Sequence, residues 1–235
     1  MTRAYYLKSS NNFADHIYSY DMKSLKVIIF DIDGTLLNTD ELYFQLLKRE
    51  LSKLNISINE QQFALFGLDD SVFHVGLDEK SVQKIRENIL REYYNDQIFK
   101  KLRFKEGALK VVCKLAEKYL LAIGSGEKLE QIERYLQYQH LGHYFQFIGH
   151  GGLVHGRKSN PEYFHKIARF FKVKPEECLM VGDSKYDIEA IKSGCTVVII
   201  PSKFTKHCVF DNDCVILSDI KELMRFLEIP NLTKL

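Results

Sequence analysis

Asp31 and Asp33 stand one residue apart in "DIDGT", directly after an apolar run, and Asp183 and Asp187 follow another such run in "VGDSKYD". Ser125 and Lys158 come after two further apolar segments. Carboxylates about 4 Å apart repel by roughly 4 kcal/mol at an effective dielectric of 20, so a crevice holding several of them demands a cation. A hard divalent ion fits: magnesium takes one or two carboxylates, keeps several waters and commonly bridges to a substrate phosphate. Lys158 adds a positive charge, and Ser125 a hydroxyl beside the free N–H groups of the helix after it, which suits a dianion. Together these groups describe a phosphate site. Two neighbouring aspartates can then divide the labour, one attacking phosphorus and the other working as acid and base, and Asp31 and Asp33 are the candidates.

For residues scattered from 31 to 187 to meet, the fold must gather them. "LKVIIF" (25–30), "YLLAI" (119–123), "YFQFIG" (144–149), "CLMVG" (178–182) and "TVVII" (196–200) read as strands, most of them unbroken apolar runs of the kind buried on both faces. Between them lie helical patterns at 107–118, at 126–137, from Asn160 and Pro161 to about Phe171, and at 187–194. Strands alternating with helices predict an α/β fold with a doubly wound parallel sheet, whose loops at the strands' carboxyl ends lie side by side. That arrangement brings Asp31, Asp33, Ser125, Lys158 and Asp183 into one crevice.

One block breaks the alternation. From Glu41 to Leu54 the residues Leu42, Leu46, Leu47, Leu51 and Leu54 form one helical stripe, a helix start follows at Asn59, and Val82, Ile85, Ile89 and Tyr93 fall at helical spacing after Asp78. Residues 40–103 therefore read as a small all-helical cap inserted after the first strand. The expected organisation is an N-terminal extension over 1–24, a core made of 25–39 and 104–235, and the cap over 40–103.

The chain has 235 residues, with 33 basic and 31 acidic side chains and a net charge of +2. That balance, with no long block of one sign, predicts neither a nucleic-acid nor a membrane partner. No apolar run approaches the roughly 18 residues of a membrane span, and the N-terminus lacks signal- or transit-peptide composition. Five cysteines with no two-residue spacing read as reduced thiols. The expected setting is cytoplasmic, as a monomer or weak homodimer.

"DIDGTLLNT" closely resembles the first motif of the haloacid dehalogenase superfamily, whose phosphatase members carry Asp-x-Asp-Gly-Thr after the first strand. The apolar strand ending in Ser125 resembles the second motif, Lys158 in "KSNPEYF" the third, and "VGDSKYD" the fourth. The four occur in order between about residues 25 and 201. The resemblance implies a Rossmann-like core and a magnesium-dependent phosphatase acting on a small phosphorylated metabolite. In it Asp31 is the nucleophile that forms an aspartyl-phosphate. Asp33 is the acid and base, its carbonyl helping to ligate Mg2+. Ser125 and Lys158 hold the phosphoryl group, and Asp183 is a metal ligand beside Asp31 and Asp33. Asp187 orients Lys158 or metal-bound water, while Gly34, Thr35 and Gly126 belong to the phosphate-binding set. Ser159 replaces the proline usual after the lysine, and Asn38 a common acidic residue. A phosphomutase of the same family shares all four motifs; a dehalogenase would need neither Asp33 nor magnesium, and a non-catalytic binding protein would turn over no aryl phosphate.

Two other stretches invite a functional reading. "GGLVHGRKS" spaces Gly151 and Gly156 like a phosphate-binding P-loop, yet Arg157 stands where the lysine belongs and Lys158 comes one residue late. The lysine is therefore assigned to Asp31, Ser125 and Asp183 rather than to the glycines beside it. His140, His143, His150 and His155 lack a ligand spacing, although His150 and His155 flank the expected site. In the cap, "GLDDSVFHVG" offers Phe73 and His74 as candidates to face the substrate.

Overall fold

Runs with no polar residue become the centre of the sheet. In the computed structural model, which describes residues 24–63, 76–155, 157–206, 208–210 and 213–228, β1 (Val27–Phe30) is buried along its whole length. It is followed by β2 (Leu120–Gly124), β3 (Phe147–Gly149), β4 (Cys178–Gly182), β5 (Thr196–Ile199) and β6 (Val215–Ile216). The six strands lie in the order β3-β2-β1-β4-β5-β6, and every pairing is parallel. Val27 pairs with Leu120 on one side and Cys178 on the other. The strand order therefore reverses between β1 and β4, the place where open α/β sheets form a ligand crevice.

Alternate residues of β1 serve opposite layers. Val27 and Ile29 pack with Tyr163, Phe164 and Ile167 of α6 (Glu162–Phe171). Ile28 and Phe30 face the other cluster, with Val112 and Leu115 from α4 (Ala108–Leu115) and Ile132 and Leu136 from α5 (Leu129–Tyr138). Full burial of one such aliphatic or aromatic side chain contributes about 1.5–3 kcal/mol. Helices thus cover both faces, as the alternation predicts.

The insertion after β1 holds α1 (Thr39–Ser52), a helical turn at 60–63, α2 (Glu79–Tyr93) and α3 (Asp96–Phe99), with no strand among its described residues. Asp78 caps α2 by accepting from the Ser81 amide at 3.0 Å, and Val82, Ile85, Ile89 and Tyr93 are its buried face. The α1 stripe differs from expectation: Leu46, Leu47 and Leu51 are buried with Tyr43 and Phe44, whereas Leu54 lies beyond the helix and is exposed. The apolar cluster on the Ile28 face of the sheet continues through Leu47, Leu51, Ile85 and Ile89. A seam of Phe44, Phe63 and Phe204, with centroids 4.8–5.2 Å apart, joins α1 and the 60–63 turn to the loop after β5. Lys203 in that loop pairs with Glu41 and, at 3.0 Å, with Glu60.

Three details depart from the sequence reading. The β6 pairing was not foreseen. The expected helix over 187–194 is a short α7 (Lys185–Ile188) that tightens into a 3-10 turn at Glu189–Ser193. A 3-10 turn at Arg157–Ser159 precedes α6, and Asn160 Oδ1 accepts from the Glu162 amide at 3.0 Å. Among the described residues no helix is long and apolar enough to cross a membrane, and the five cysteines are free thiols.

Candidate active site

The loops after β1 and β4 supply the centre of the site. The Asp31 amide donates to the Val181 carbonyl at 2.9 Å, carrying the sheet pairing one residue past β1 and fixing where the Asp31 side chain begins. Gly34 then takes φ of +72°, and a β-carbon there would lie 2.5 Å from Asp183 Oδ2. The glycine lets the two acidic loops touch. Lys105, on the segment returning from the insertion, donates to the Gly34 carbonyl and holds the turn from outside.

Lys158 enters from the 3-10 turn before α6. Its Nζ lies 2.9 Å from Asp31 Oδ1 and 2.6 Å from Asp187 Oδ1, and all three side chains are buried. The other Asp187 oxygen accepts from the Asp183 amide at 3.2 Å, the Ser184 amide at 3.0 Å and the Ser184 hydroxyl at 2.8 Å. Asp187 is therefore fully engaged as the brace of this corner. Lys158 thus lies against Asp31, to which its sequence position assigned it, and against Asp187, the residue that the resemblance gave as orienting it; neither Ser125 nor Asp183 is among its direct partners.

The electrostatics expose a deficit of positive charge. Burial pushes the Asp31 carboxyl well above the usual range; Lys158 opposes this, while Asp187, Asp33 and Asp183 add to it. Burial, reinforced by Asp187 and Asp40, pushes Asp183 up to about 8. Burial likewise raises Asp33 to about 6, against the Thr39 hydroxyl and with help from Glu127. Lys158 moves upward because Asp187 and Asp31 outweigh its desolvation. Oxygens of Asp31, Asp183 and Asp187 come within 4.8 Å of one another. Since Asp187 is committed to Lys158 and Ser184, the carboxylates left for a cation are those of Asp31 and Asp183. Hard oxygen donors carrying uncompensated charge fit a small divalent ion.

Ser125 directly follows β2, with its side chain buried. Its amide donates to Gly149 O at 3.1 Å, its carbonyl accepts from the Tyr163 hydroxyl at 2.8 Å, and its Oγ accepts from the Glu127 amide at 3.1 Å. This corrects the expectation of a serine at the helix start. Lys128 holds the cap position of α5, and its amide is taken by the Glu127 carboxylate at 2.9 Å. The helix start does not offer that N–H to a phosphate. Thr35 is a further candidate donor: its hydroxyl is buried without a hydrogen-bond partner among the described residues, at a cost of about 1–3 kcal/mol unless a ligand pairs with it. Space beside Gly126 is open, with nothing within 4 Å of a β-carbon placed there.

The glycines of "GGLVHGRKS" also find their place. Gly151 presses its backbone against Gly126 and Glu127, donating to the Glu127 carbonyl at 2.6 Å, a contact that any β-carbon would block. It packs one loop onto another rather than cradling a ligand. Gly156, Phe73 and His74 lie outside the described residues. The His150 ring accepts from the Gly152 amide at 3.2 Å, and the His155 carbonyl accepts from Asn160. A polar cavity of about 460 Å³ lies instead between α1 and α2, where buried Glu50 is met by Lys53 at 2.5 Å and Asn88 at 3.1 Å. Its charges satisfy each other and it contains none of the acidic-loop residues.

Sequence reasoning missed three neighbours of the site: Tyr93, whose hydroxyl donates to Asp33 Oδ1 at 3.4 Å, Glu127 and Lys105. Each acts across a long stretch of chain, and no local pattern marks it.

Comparison with known proteins agrees with this architecture. A family model described as haloacid dehalogenase-like hydrolase matches residues 28–200. Pyrophosphatase PpaX of Bacillus cereus (strain G9842) is 27% identical over 167 residues, spanning 70% of this chain and 77% of that protein. A haloacid dehalogenase-like family hydrolase from Streptococcus pneumoniae superposes with a TM-score of 0.71 at 18% identity, over 87% of this chain and 99% of that one. A variant of CbbY from Rhodobacter sphaeroides, crystallised with xylulose-(1,5)bisphosphate, gives 0.65 at 19% identity, over 88% and 97%. The structural likenesses bear on the fold alone.

Proposed function

Because the chain belongs to the haloacid dehalogenase-like hydrolase family, we propose that it is a magnesium-dependent phosphatase of small phosphorylated metabolites, working through an aspartyl-phosphate on Asp31. One observation carries the reading: Asp31, buried at the β1–β4 switch point, is held 2.9 Å from Lys158 with Asp183 beside it. Lys158 stabilises Asp31 as the carboxylate, the form that attacks phosphorus. Asp33, two residues along, protonates the departing oxygen and then takes a proton from the water that hydrolyses the acyl phosphate. Asp31, Asp183 and the Asp33 carbonyl hold Mg2+, which when bound neutralises the carboxylates and polarises the phosphoryl oxygens. Thr35, Gly34, Ser125, Gly126 and Lys158 receive the phosphoryl group, and Asp187 fixes Lys158.

In this reading residues 40–103 form the cap domain over a core of 25–39 and 104–235. The cap limits access to small esters and excludes bulk water during the reaction. The test is phosphate release from 4-nitrophenyl phosphate, phenyl phosphate, inorganic pyrophosphate, sugar phosphates and a sugar bisphosphate, each with magnesium and with chelator. Turnover that requires magnesium and disappears in Asp31→Asn is expected. An isomerised rather than hydrolysed sugar phosphate points to a mutase, and turnover that survives chelation overturns the metal assignment.

A further inference from the structure

The long helix of the insertion ends in two adjacent tyrosines, and each reaches a different catalytic loop. Tyr93, the last residue of α2, donates to Asp33 Oδ1 at 3.4 Å. Tyr94 donates to both oxygens of Glu127, at 3.1 and 3.0 Å, two residues after Ser125. The Tyr93 ring is buried and set edge-on against Tyr43 and Tyr94, with centroids 5.9 and 5.3 Å away, so the position of its hydroxyl oxygen is held by packing.

We propose that Tyr93 is a positioning residue for Asp33, fixing the plane of its carboxyl group so that one oxygen faces the leaving group. This rests on the phosphatase reading above, in which Asp33 is the acid and base. An aspartate carboxyl turns easily about its terminal torsion, which has only broad preferences. An acid must deliver its proton along one direction, within hydrogen-bond reach of the oxygen that leaves. A donor on Oδ1 holds that plane and leaves Oδ2 for the reaction. Distances of 3.4 Å without substrate are ordinary for catalytic hydrogen bonds, which tighten when the substrate is bound. Because Tyr93 belongs to the insertion while Asp33 belongs to the core, the acid is aligned only while the end of α2 rests on the β1 loop. Alignment is thereby tied to closure.

The test uses two esters of nearly the same shape. Phenyl phosphate has the poorer leaving group and depends on protonation, whereas 4-nitrophenyl phosphate depends on it far less. Tyr93→Phe keeps the ring and removes the hydroxyl. The variant should lose about tenfold in kcat/KM on phenyl phosphate, the effect of one hydrogen bond, and about twofold or less on 4-nitrophenyl phosphate. The readout is the ratio of the two losses, so a partly unfolded Tyr93→Phe lowers both esters equally and does not mimic the expected contrast, and a melting curve shows that the variant is folded. Equal losses on the two esters, or no loss on either, overturn the proposal while leaving the phosphatase reading intact. If the native chain hydrolyses no phosphate ester, the phosphatase reading fails and this role of Tyr93 falls with it.

Discussion

Lys158 sits closer to Asp187 than to Asp31, at 2.6 Å against 2.9 Å, and Asp187 has no exposed surface. The cation beside Asp31 is thus anchored by a second carboxylate that is itself wholly enclosed. Asp187 in turn is gripped by Ser184 and the Asp183 amide, so the lysine and the Asp183 loop share one support.

Removing that support should cost both stability and turnover. Asp187→Ala leaves a buried ammonium with one carboxylate partner and strands the donors of Ser184, and loss of one member of a buried ion pair costs about 3–5 kcal/mol. Urea unfolding should show a loss near the lower end of that range, since Asp31 remains, and phosphate release should fall by about 100-fold, as for other lost charge-stabilising groups. Wild-type stability together with wild-type turnover would show that Lys158 is held by something else.

Stability should depend on pH and metal together. Burial pushes the folded-state carboxyls of Asp33 and Asp183 up from the ordinary 3.8 to about 6 and about 8. Between about pH 4 and pH 8 the unfolded chain has therefore given up protons that the folded chain keeps, and stability falls as pH rises through that window. Lys158, raised above its ordinary value, stays charged throughout. Thermal midpoints in chelator should drop from pH 5.5 to pH 8. Magnesium should raise them more at pH 8 than at pH 5.5, because it binds the ionised carboxylates. A metal effect that is the same at both values would sink the argument.

Gly34→Ala should separate metal binding from folding. The new methyl group would meet Asp183 Oδ2 at 2.5 Å in a backbone of φ +72°. The left-handed conformation alone costs about 1–2 kcal/mol, little enough for the chain to stay folded. The displaced Asp183 should raise the magnesium concentration for half-maximal activity by at least about tenfold, an amount equivalent to about 1.4 kcal/mol. A melting curve confirms folding, and an unchanged magnesium titration would show that Asp183 is not a ligand.

The framework was legible because its signals are strong and local. Val27–Phe30 and Cys178–Gly182 are apolar throughout, and such runs have little choice but the middle of a covered parallel sheet. Asp31 and Asp183 follow from those strands, since a residue just past a strand must lie in the crevice. Val215–Ile216 was missed because two residues carry no periodicity. Ser125 was expected beside the free N–H groups of a helix starting at once after it, but Glu127 reaches the Lys128 amide and the helix begins at Leu129. Lys158 was brought to the right neighbourhood by its order along the chain. Its two carboxylate neighbours, Asp31 and Asp187, were named through the resemblance, whereas the 3-10 turn at 157–159 that delivers it is too short to read. Tyr93 looked like one more apolar position on α2, and only the packing of that helix end reveals the work of its hydroxyl.

The strand order has a consequence for the newly made chain. Among the described strands β1 is the first to be synthesised, yet it lies between β2 and β4, so Asp31 emerges from the ribosome long before either neighbour exists. The lysine that sustains its charge arrives at position 158 and the acid beside it at 183. A nascent or truncated chain therefore carries Asp31 without its lysine, and on the phosphatase reading proposed above it would gain chemical competence only when the second half of the sheet closes on the first.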